Sequence, residues 1–172
     1  MEKKEEILTS LSIGKFDVHF VATPSSSADT LVVPQYRKGI SLTGVSENLI
    51  HGKTSRCFNK HADFLQKNRY LPLGEIRLDE CKHRNLYYLV FMSVLDCTEK
   101  NAEKTLKKAL TKALQAADEK NVWTLAIPKF KIAKFPPKKM ASIIKEVLTA
   151  AAPMQHLRKI MLPQDYAKYF FS

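Results

Sequence analysis

The sequence predicts an α/β protein in which helices cover both faces of a largely parallel sheet, a three-layer α/β/α arrangement. Short apolar runs rich in β-branched and aromatic residues alternate along the chain with longer amphipathic segments, which is the pattern of βαβ units. Several of the runs are apolar throughout, as in strands buried on both faces. A chain of 172 residues has the length of one domain.

Six apolar runs are predicted to be strands. They cover residues 16–21, 29–33, 75–79, 85–95, 122–127 and 157–162. The first and third runs alternate apolar and polar residues, so each is expected to turn its polar or charged side chains to water. The fourth run is the most hydrophobic and is expected to be central. Because proline cannot donate to a sheet ladder, Pro34 and Pro128 are expected to end the second and fifth strands.

The clearest helices are predicted at residues 102–117 and 140–151, where apolar residues repeat at helical spacing. Thr98 is expected to cap the first of them. Pro136 and Pro137 suit the first turn of the second, which needs no amide donor there.

Three further segments complete the predicted architecture. Residues 45–66 are predicted to form one helix or two short ones, and Pro163 to start a short closing helix. The charged amino-terminal segment is predicted to be helical. Residues 1–12 would then be a helical extension of a single domain that spans residues 1–172.

The formal net charge of +11 is the least ordinary property of the composition. It favours acidic partners: nucleic acid, a phosphorylated ligand, an anionic membrane or an acidic protein. A basic surface that only keeps the protein in solution fits the charge equally well. The charge therefore bears on association and not on the fold.

Composition also predicts the compartment and excludes some cofactors. Cys57, Cys81 and Cys97 show no CxxC pairing, which fits reduced thiols inside a cell. His51 and His61 near Cys57 lack the further ligands of a metal site. The chain has no secretory signal and no apolar run long enough for a membrane span. We expect a soluble protein of the cytoplasm or nucleus, without a cofactor, a metal or a membrane anchor.

Recognised catalytic patterns are missing. The serines at 25–27 have no histidine and acid at a known spacing, Asp96 and Cys97 have no base partner, and no GxSxG occurs. We expect no catalytic residues.

The segment after the strand at 122–127 is predicted to be a cationic turn. In open α/β sheets, ligands bind beside the carboxyl ends of the strands, so an anionic ligand is expected here. The candidate ligand-binding residues of this turn are Lys129, Phe130, Lys131, Ile132, Ala133, Lys134 and Phe135. Either phenylalanine could stack on a base, and either could equally belong to the core.

The order of these segments resembles that of macro domains across nearly the whole chain. The matching segments are DTLVV at 29–33, like DAIVN; TGVSENLIH at 43–51, like GGVDGAIH; LPLGE at 71–75, like CPTGE; YYLV at 87–90, in the place of YVIH; TLAIP at 124–128, like SIAFP; and FP at 135–136, like the closing YP. The resemblance implies a macro-like domain with a mixed, largely parallel central sheet.

The resemblance also implies an ADP-ribose site and shows where this sequence departs from it. Ala22 stands where the family reads adenine with an aspartate, and Val33 and Tyr36 stand where it has the asparagines of NAAN. We therefore expect no hydrolysis of ADP-ribose. The first phosphate loop corresponds to Thr43, Gly44, Val45 and Ser46.

Both phosphate loops are poor in glycine. The first keeps only Gly44, and the second, at 129–135, has none. A close cradle of backbone amides is therefore not expected. Lysines would attract phosphate there as point charges instead.

Three functions stay open at this point. The first is a non-catalytic macro-like module that binds ADP-ribose or a related phosphorylated nucleotide. The second is RNA binding by a basic surface and stacking aromatics. That surface would comprise Arg37, Lys38, Lys53, Lys129, Lys131, Lys134, Lys138 and Lys139. The third is a ligand-free protein-interaction module. The amino-terminal domain of leucine aminopeptidases, a similar fold, would also be non-catalytic. The sequence does not predict the oligomeric state.

Overall fold

A computed structural model describes residues 7–24, 28–40, 55–83 and 86–171. Eight strands of these residues form one mixed sheet in the order β1-β2-β8-β7-β3-β6-β5, with β4 paired to β3. The strands are β1 (Ile7–Ile13), β2 (Phe16–Val21), β3 (Thr30–Tyr36), β4 (Gly39–Ile40), β5 (Ile76–His83), β6 (Leu86–Ser93), β7 (Thr124–Ala126) and β8 (Lys159–Pro163). The five strands from β2 to β6 in this order are parallel to one another, and β1 and β5 are antiparallel edges.

Helices lie on both faces of the sheet, which confirms the three-layer α/β/α prediction. The helices are α1 (Ser55–Asn68), α2 (Ala102–Glu119), α3 (Pro137–Ala150), a 3-10 helix (Gln164–Tyr166) and α4 (Ala167–Phe170). On β3, Val32 packs with the buried residues of α2 and α3. Its neighbours Leu31 and Val33 pack with Phe58 of α1 on the other face. The period of two along a strand thus divides the core into two layers.

The helix predicted for residues 1–12 is wrong at residues 7–12, which belong to strand β1. Leu11 packs against the core while Ser10 and Ser12 are exposed, so the segment has a period of two and not of 3.6. Gly14 follows with φ of +58°, a conformation that glycine adopts at little cost, and the chain turns directly into β2. Residues 1–6 lie outside the described residues.

Pro34 does not end β3, which continues to Tyr36. The carbonyl of Gln35 accepts from the amides of Val94 and Leu95, beyond the end of β6, so the preceding residue faces the opposite side. On that side β7 pairs only with Thr30 and Leu31. Pro34 therefore interrupts no ladder, as proline in a strand requires.

Three other local predictions are corrected. The residue that precedes α2 is Asn101 and not Thr98, whose carbonyl instead accepts the amides of Asn101 and Ala102. Trp123, predicted to lie in a buried strand, precedes a three-residue β7 and is 60% exposed. Cys81 is disulfide-bonded, so the expectation of reduced thiols is wrong for it.

The predicted helix at 45–66 corresponds in part to α1, because residues 41–54 lie outside the described residues. Within the described part of the chain, no helix has the length and apolar character needed to traverse a bilayer.

Candidate functional site

The parallel strands end together at one edge of the sheet, which we call the carboxyl edge. Ala22 follows β2 there, Arg37 follows β3, Asp96 lies beyond β6, and Gln164 follows β8. Between β7 and α3, the chain crosses this edge as residues 129–135, the lysine loop. The topology therefore brings the predicted cationic turn to the edge where ligands of α/β sheets bind.

Apolar side chains of the lysine loop pack against the hydrophobic core and fix the loop in place. Ile132 is 1% exposed and belongs to the core. Phe130 and Phe135 are half-buried against the same core, which limits their use as free stacking platforms. The amide of Phe135 donates to the carbonyl of Ile132 at 3.1 Å and closes a turn. Within that turn, Ala133 has φ of +48°, a left-handed conformation that L side chains adopt only with strain.

Tyr166 supports the loop from the 3-10 helix after β8. Its ring is buried, and its hydroxyl shares a hydrogen bond with the backbone of Phe130. Burial raises the pKa of Tyr166 to about 12, so the hydroxyl stays neutral. This contact ties the loop to the neighbouring strand end.

Two of the predicted basic residues near the loop are engaged by carboxylates. Lys129 Nζ lies 2.8 Å from Asp165 Oδ2. Lys139 Nζ lies 2.8 Å from Glu103 Oε1 and 5.5 Å from the centre of the Phe135 ring. Their charges are therefore partly neutralised before any ligand arrives.

Lys131, Lys134 and Lys138 differ from these two. None of them has an ion pair within the described residues, and no acidic residue lies in the first turn of α3. The lysine loop and the start of α3 thus carry three uncompensated ammonium groups at the carboxyl edge.

The other side of the carboxyl edge is less basic than predicted. The Arg37 amide and guanidinium both bond to the Asp96 carboxylate, at 2.9 and 3.3 Å. Lys38 is exposed, and Tyr36 beside it is 49% exposed. Lys53 and the predicted first-loop residues Thr43, Gly44, Val45 and Ser46 lie outside the described residues.

A buried polar network beside this edge was missed by the sequence reasoning. His61 of α1 is 0% exposed and stacks on Phe91 at 3.7 Å between ring centres. Its Nε2 bonds to Gln35 Oε1, and its Nδ1 lies 3.4 Å from Arg77 Nη1. Arg77 in turn pairs with Asp79.

The donor and the acceptor of each hydrogen bond between Gln35, His61 and Arg77 can be assigned. Gln35 Nε2 donates to the Tyr36 carbonyl at 2.9 Å, which leaves Gln35 Oε1 to accept from His61. His61 therefore carries its hydrogen on Nε2, and its Nδ1 accepts from Arg77. Burial, and next the charge of Arg77, lower the pKa of His61 to about 4, so the ring is neutral at physiological pH.

The prediction that the charges of the third strand face water is wrong for Arg77 and Asp79. Asp79 is buried, and this burial raises the pKa of its carboxyl although Arg77 opposes the shift. The alternating pattern is real, but α1 covers the polar side of β5 and supplies His61 as a partner. A buried charge is tolerated when it is paired in this way. A histidine four residues from apolar positions on a helix was the only signal in the sequence.

The positions that the resemblance singled out lie as follows. Val33 is buried in the core beneath α1 and has no access to the edge. Ala22 and Tyr36 are exposed at the ends of β2 and β3. No group of three histidine, cysteine or acidic side chains suitable for a metal ion occurs among the described residues. A groove of about 770 Å³ lies elsewhere, between α2 and α3.

No family model matches the sequence, and no curated protein matches it. Solved structures match the fold of this chain. A mutant macrodomain from Oceanobacillus iheyensis with ADPR has a TM-score of 0.75 at 16% identity, over 95% of both chains. The same macrodomain with ADP has a TM-score of 0.70 at 18% identity, over 95% of this chain and 93% of that one. A macrodomain from Trypanosoma brucei has a TM-score of 0.73 at 13% identity, over 97% of this chain and 70% of that one.

The chain has the macrodomain fold. The segments that resembled the family in sequence order occupy neighbouring strands of this fold: residues 29–33 lie largely on β3, 87–90 on β6 and 124–128 on β7 and its end. In this macrodomain fold, the lysine loop directly follows the central strand β7. The fold is therefore shared although the sequence identity is low.

Proposed function

We propose that this macrodomain fold binds a phosphorylated nucleotide such as ADP-ribose, without catalysis, at the lysine loop. The observation that carries the proposal is the group of three ammonium groups without an ion pair among the described residues, Lys131, Lys134 and Lys138, at the carboxyl edge. Of the Oceanobacillus macrodomain structures with the same fold, one is a complex with ADPR and another a complex with ADP. A diphosphate is the ligand group that such a cluster of cations attracts.

The backbone near the loop offers phosphate few donors. Pro136 and Pro137 have no amide hydrogen, and the amides of Lys139 and Met140 already donate to the Pro136 carbonyl. A helix start with free amides would otherwise be an anion site. Attraction must therefore come mainly from lysine side chains, which do not read phosphate geometry. A loose, salt-sensitive site follows.

The absence of catalysis is supported by the side chains at the strand ends. Val33 is buried and apolar and Tyr36 is a phenol, so neither offers the amide that the resemblance expects for holding a ribose and a water.

RNA binding is a second candidate, favoured by one observation. Tyr36 is an exposed aromatic ring at the carboxyl edge, next to Arg37 and Lys38, and stacking beside cations is how single strands are held. The pairing of Arg37 with Asp96 weakens this surface. The logarithm of the RNA association constant would fall linearly with the logarithm of the salt concentration, because each phosphate that the protein neutralises releases counterions.

The test is calorimetric titration of the full chain with ADP-ribose, ADP and a single-stranded RNA. Lys131→Glu/Lys134→Glu is expected to weaken nucleotide binding by about tenfold or more, because two exposed charge contacts are reversed. Lys15→Glu/Lys120→Glu is the matched control, since both lysines are exposed at the opposite edge. Saturable RNA binding without any response to ADP-ribose would eliminate the nucleotide proposal.

A further inference from the structure

The two edge strands of the sheet differ sharply in charge. The ionisable residues along β5 are Arg77, Asp79, Glu80, Lys82 and His83. At the other edge, β1 reads Ile-Leu-Thr-Ser-Leu-Ser-Ile and contains neither a charged residue nor a proline. Monomeric proteins usually protect edge strands with charges, prolines or bulges, because an open edge is a template for another chain. β1 lacks the first two.

The outer side of β1 is unpaired within the described residues. β1 pairs with β2 on its inner side and stands last in the strand order. A bulge lies between Ile7 and Thr9, but the register from Thr9 to Ile13 is regular. Alternate amides and carbonyls of an edge strand point away from the sheet, so this regular stretch presents a row of donors and acceptors that no described strand pairs with.

The side chains along this stretch can meet copies of themselves. Ser10 and Ser12 are exposed on one face, and Leu11 is half-exposed on the other, packed against the core. A chain with a net charge of +11 repels itself over most approaches, whereas two uncharged strands meet without opposing cations. An isologous twofold contact needs a patch that complements itself.

We propose that β1 pairs antiparallel with β1 of a second copy of this chain, about a twofold axis at Leu11. Leu11 then lies opposite Leu11, Ser10 opposite Ser12, and Thr9 opposite Ile13. Apolar residues meet at the axis and hydroxyls meet hydroxyls, as in favourable cross-strand pairs. The two sheets join into one continuous sheet, and the row of donors and acceptors of each edge is satisfied by the other.

This pairing leaves the carboxyl edges open. β1 is antiparallel to β2, and an antiparallel β1 pair makes the two β2 strands antiparallel as well. The lysine loops of the two copies therefore face opposite directions. Dimerisation and ligand binding are independent, so a failure of the proposed nucleotide site would not affect this inference.

The experiment is sedimentation velocity of the full chain over a range of protein concentrations. The wild type is expected to form a species of twice 19.6 kDa as concentration rises. Ser10→Lys/Ser12→Lys places like charges across the axis and should raise the dimer dissociation constant roughly tenfold or more. Ser10→Glu/Ser12→Glu should do the same alone. Mixing the two variants should restore association, now as a heterodimer.

Ser142→Lys/Thr149→Lys is the matched control, because both positions are exposed on α3 and the charge added is the same. It should dimerise like the wild type. If a β1 variant has no thermal unfolding transition and so does not fold, hydrogen exchange of the wild type takes the place of the variant's measurement. The β1 amides of the wild type should then exchange more slowly as the protein concentration rises. A wild type that stays monomeric, a β1 lysine variant that dimerises unchanged, or a mixture that fails to associate would each overturn the proposal.

Discussion

Replacing His61 by leucine should destabilise the protein through two specific losses. The substitution leaves Gln35 Oε1 buried without a donor, since both side chains are 0% exposed. An unsatisfied buried acceptor costs about 1–3 kcal/mol. The stacked contact with Phe91 at 3.7 Å is also lost, and such ring pairs contribute about 0.5–1.5 kcal/mol. Leucine recovers part of this by apolar burial, so a net loss of about 2 kcal/mol is expected.

The assay is urea unfolding of the wild type, the two single variants and the double variant Gln35→Met/His61→Leu. Replacing both partners by apolar side chains removes the unsatisfied acceptor, so the double variant should be more stable than the sum of the single effects by about 1–2 kcal/mol. The single His61→Leu change should lower the Tm by about 4–8 °C. Strictly additive single effects would refute the directional network, because His61 and Gln35 would then not depend on each other.

Two more predictions concern the same network and the lysine loop. The folded state holds the pKa of His61 at about 4 against the ordinary 6.5, so the unfolded chain binds more protons between these values and stability falls as pH drops through this window. The free energy of unfolding of the wild type should fall by about 2 kcal/mol from pH 7.5 to pH 5 because of His61. The His61→Leu variant, measured in parallel, should lack this part of the fall. Equal dependence of the unfolding free energy on pH in both proteins would contradict the assignment to His61. Ala133→Gly should raise the unfolding free energy by about 0.5–1 kcal/mol, because glycine adopts φ of +48° without strain. Ala151→Gly, at φ of −62°, is the control that should destabilise, and a loss at both positions would argue against strain in the loop.

Patterns local in sequence predicted most of the fold, and the errors came where the relevant partner is distant. The hydrophobic run at 85–95 and the amphipathic segment at 102–117 became β6 and α2, because their period alone determines which side is buried. Residues 7–11 were misread as helical because the charged residues before them in the sequence outweighed a weak alternation, which acquires its meaning only from pairing with β2.

Distance in sequence also limited the site. The lysines of the loop were predicted at the correct edge. The partners of Lys129 and Lys139 are Asp165 and Glu103, each 36 residues away, and no local pattern reveals which lysines are neutralised. Arg77 was predicted to face solvent for the same reason, since its partner His61 comes from helix α1, 16 residues earlier in the chain.

Anchoring and charge are divided between different residues of the lysine loop, and this division makes the binding proposal testable. Ile132 and the half-buried phenylalanines hold the loop on the core, while Lys131 and Lys134 lie exposed between them. Charge reversal at the two lysines removes no buried contact, so the Tm of the protein should stay within about 2 °C while anion binding weakens by about tenfold or more. If these lysines only keep the protein in solution, the same double variant should change neither the Tm nor the binding of anions. Weakened binding with unchanged stability is therefore the result that separates a ligand loop from a solvated one.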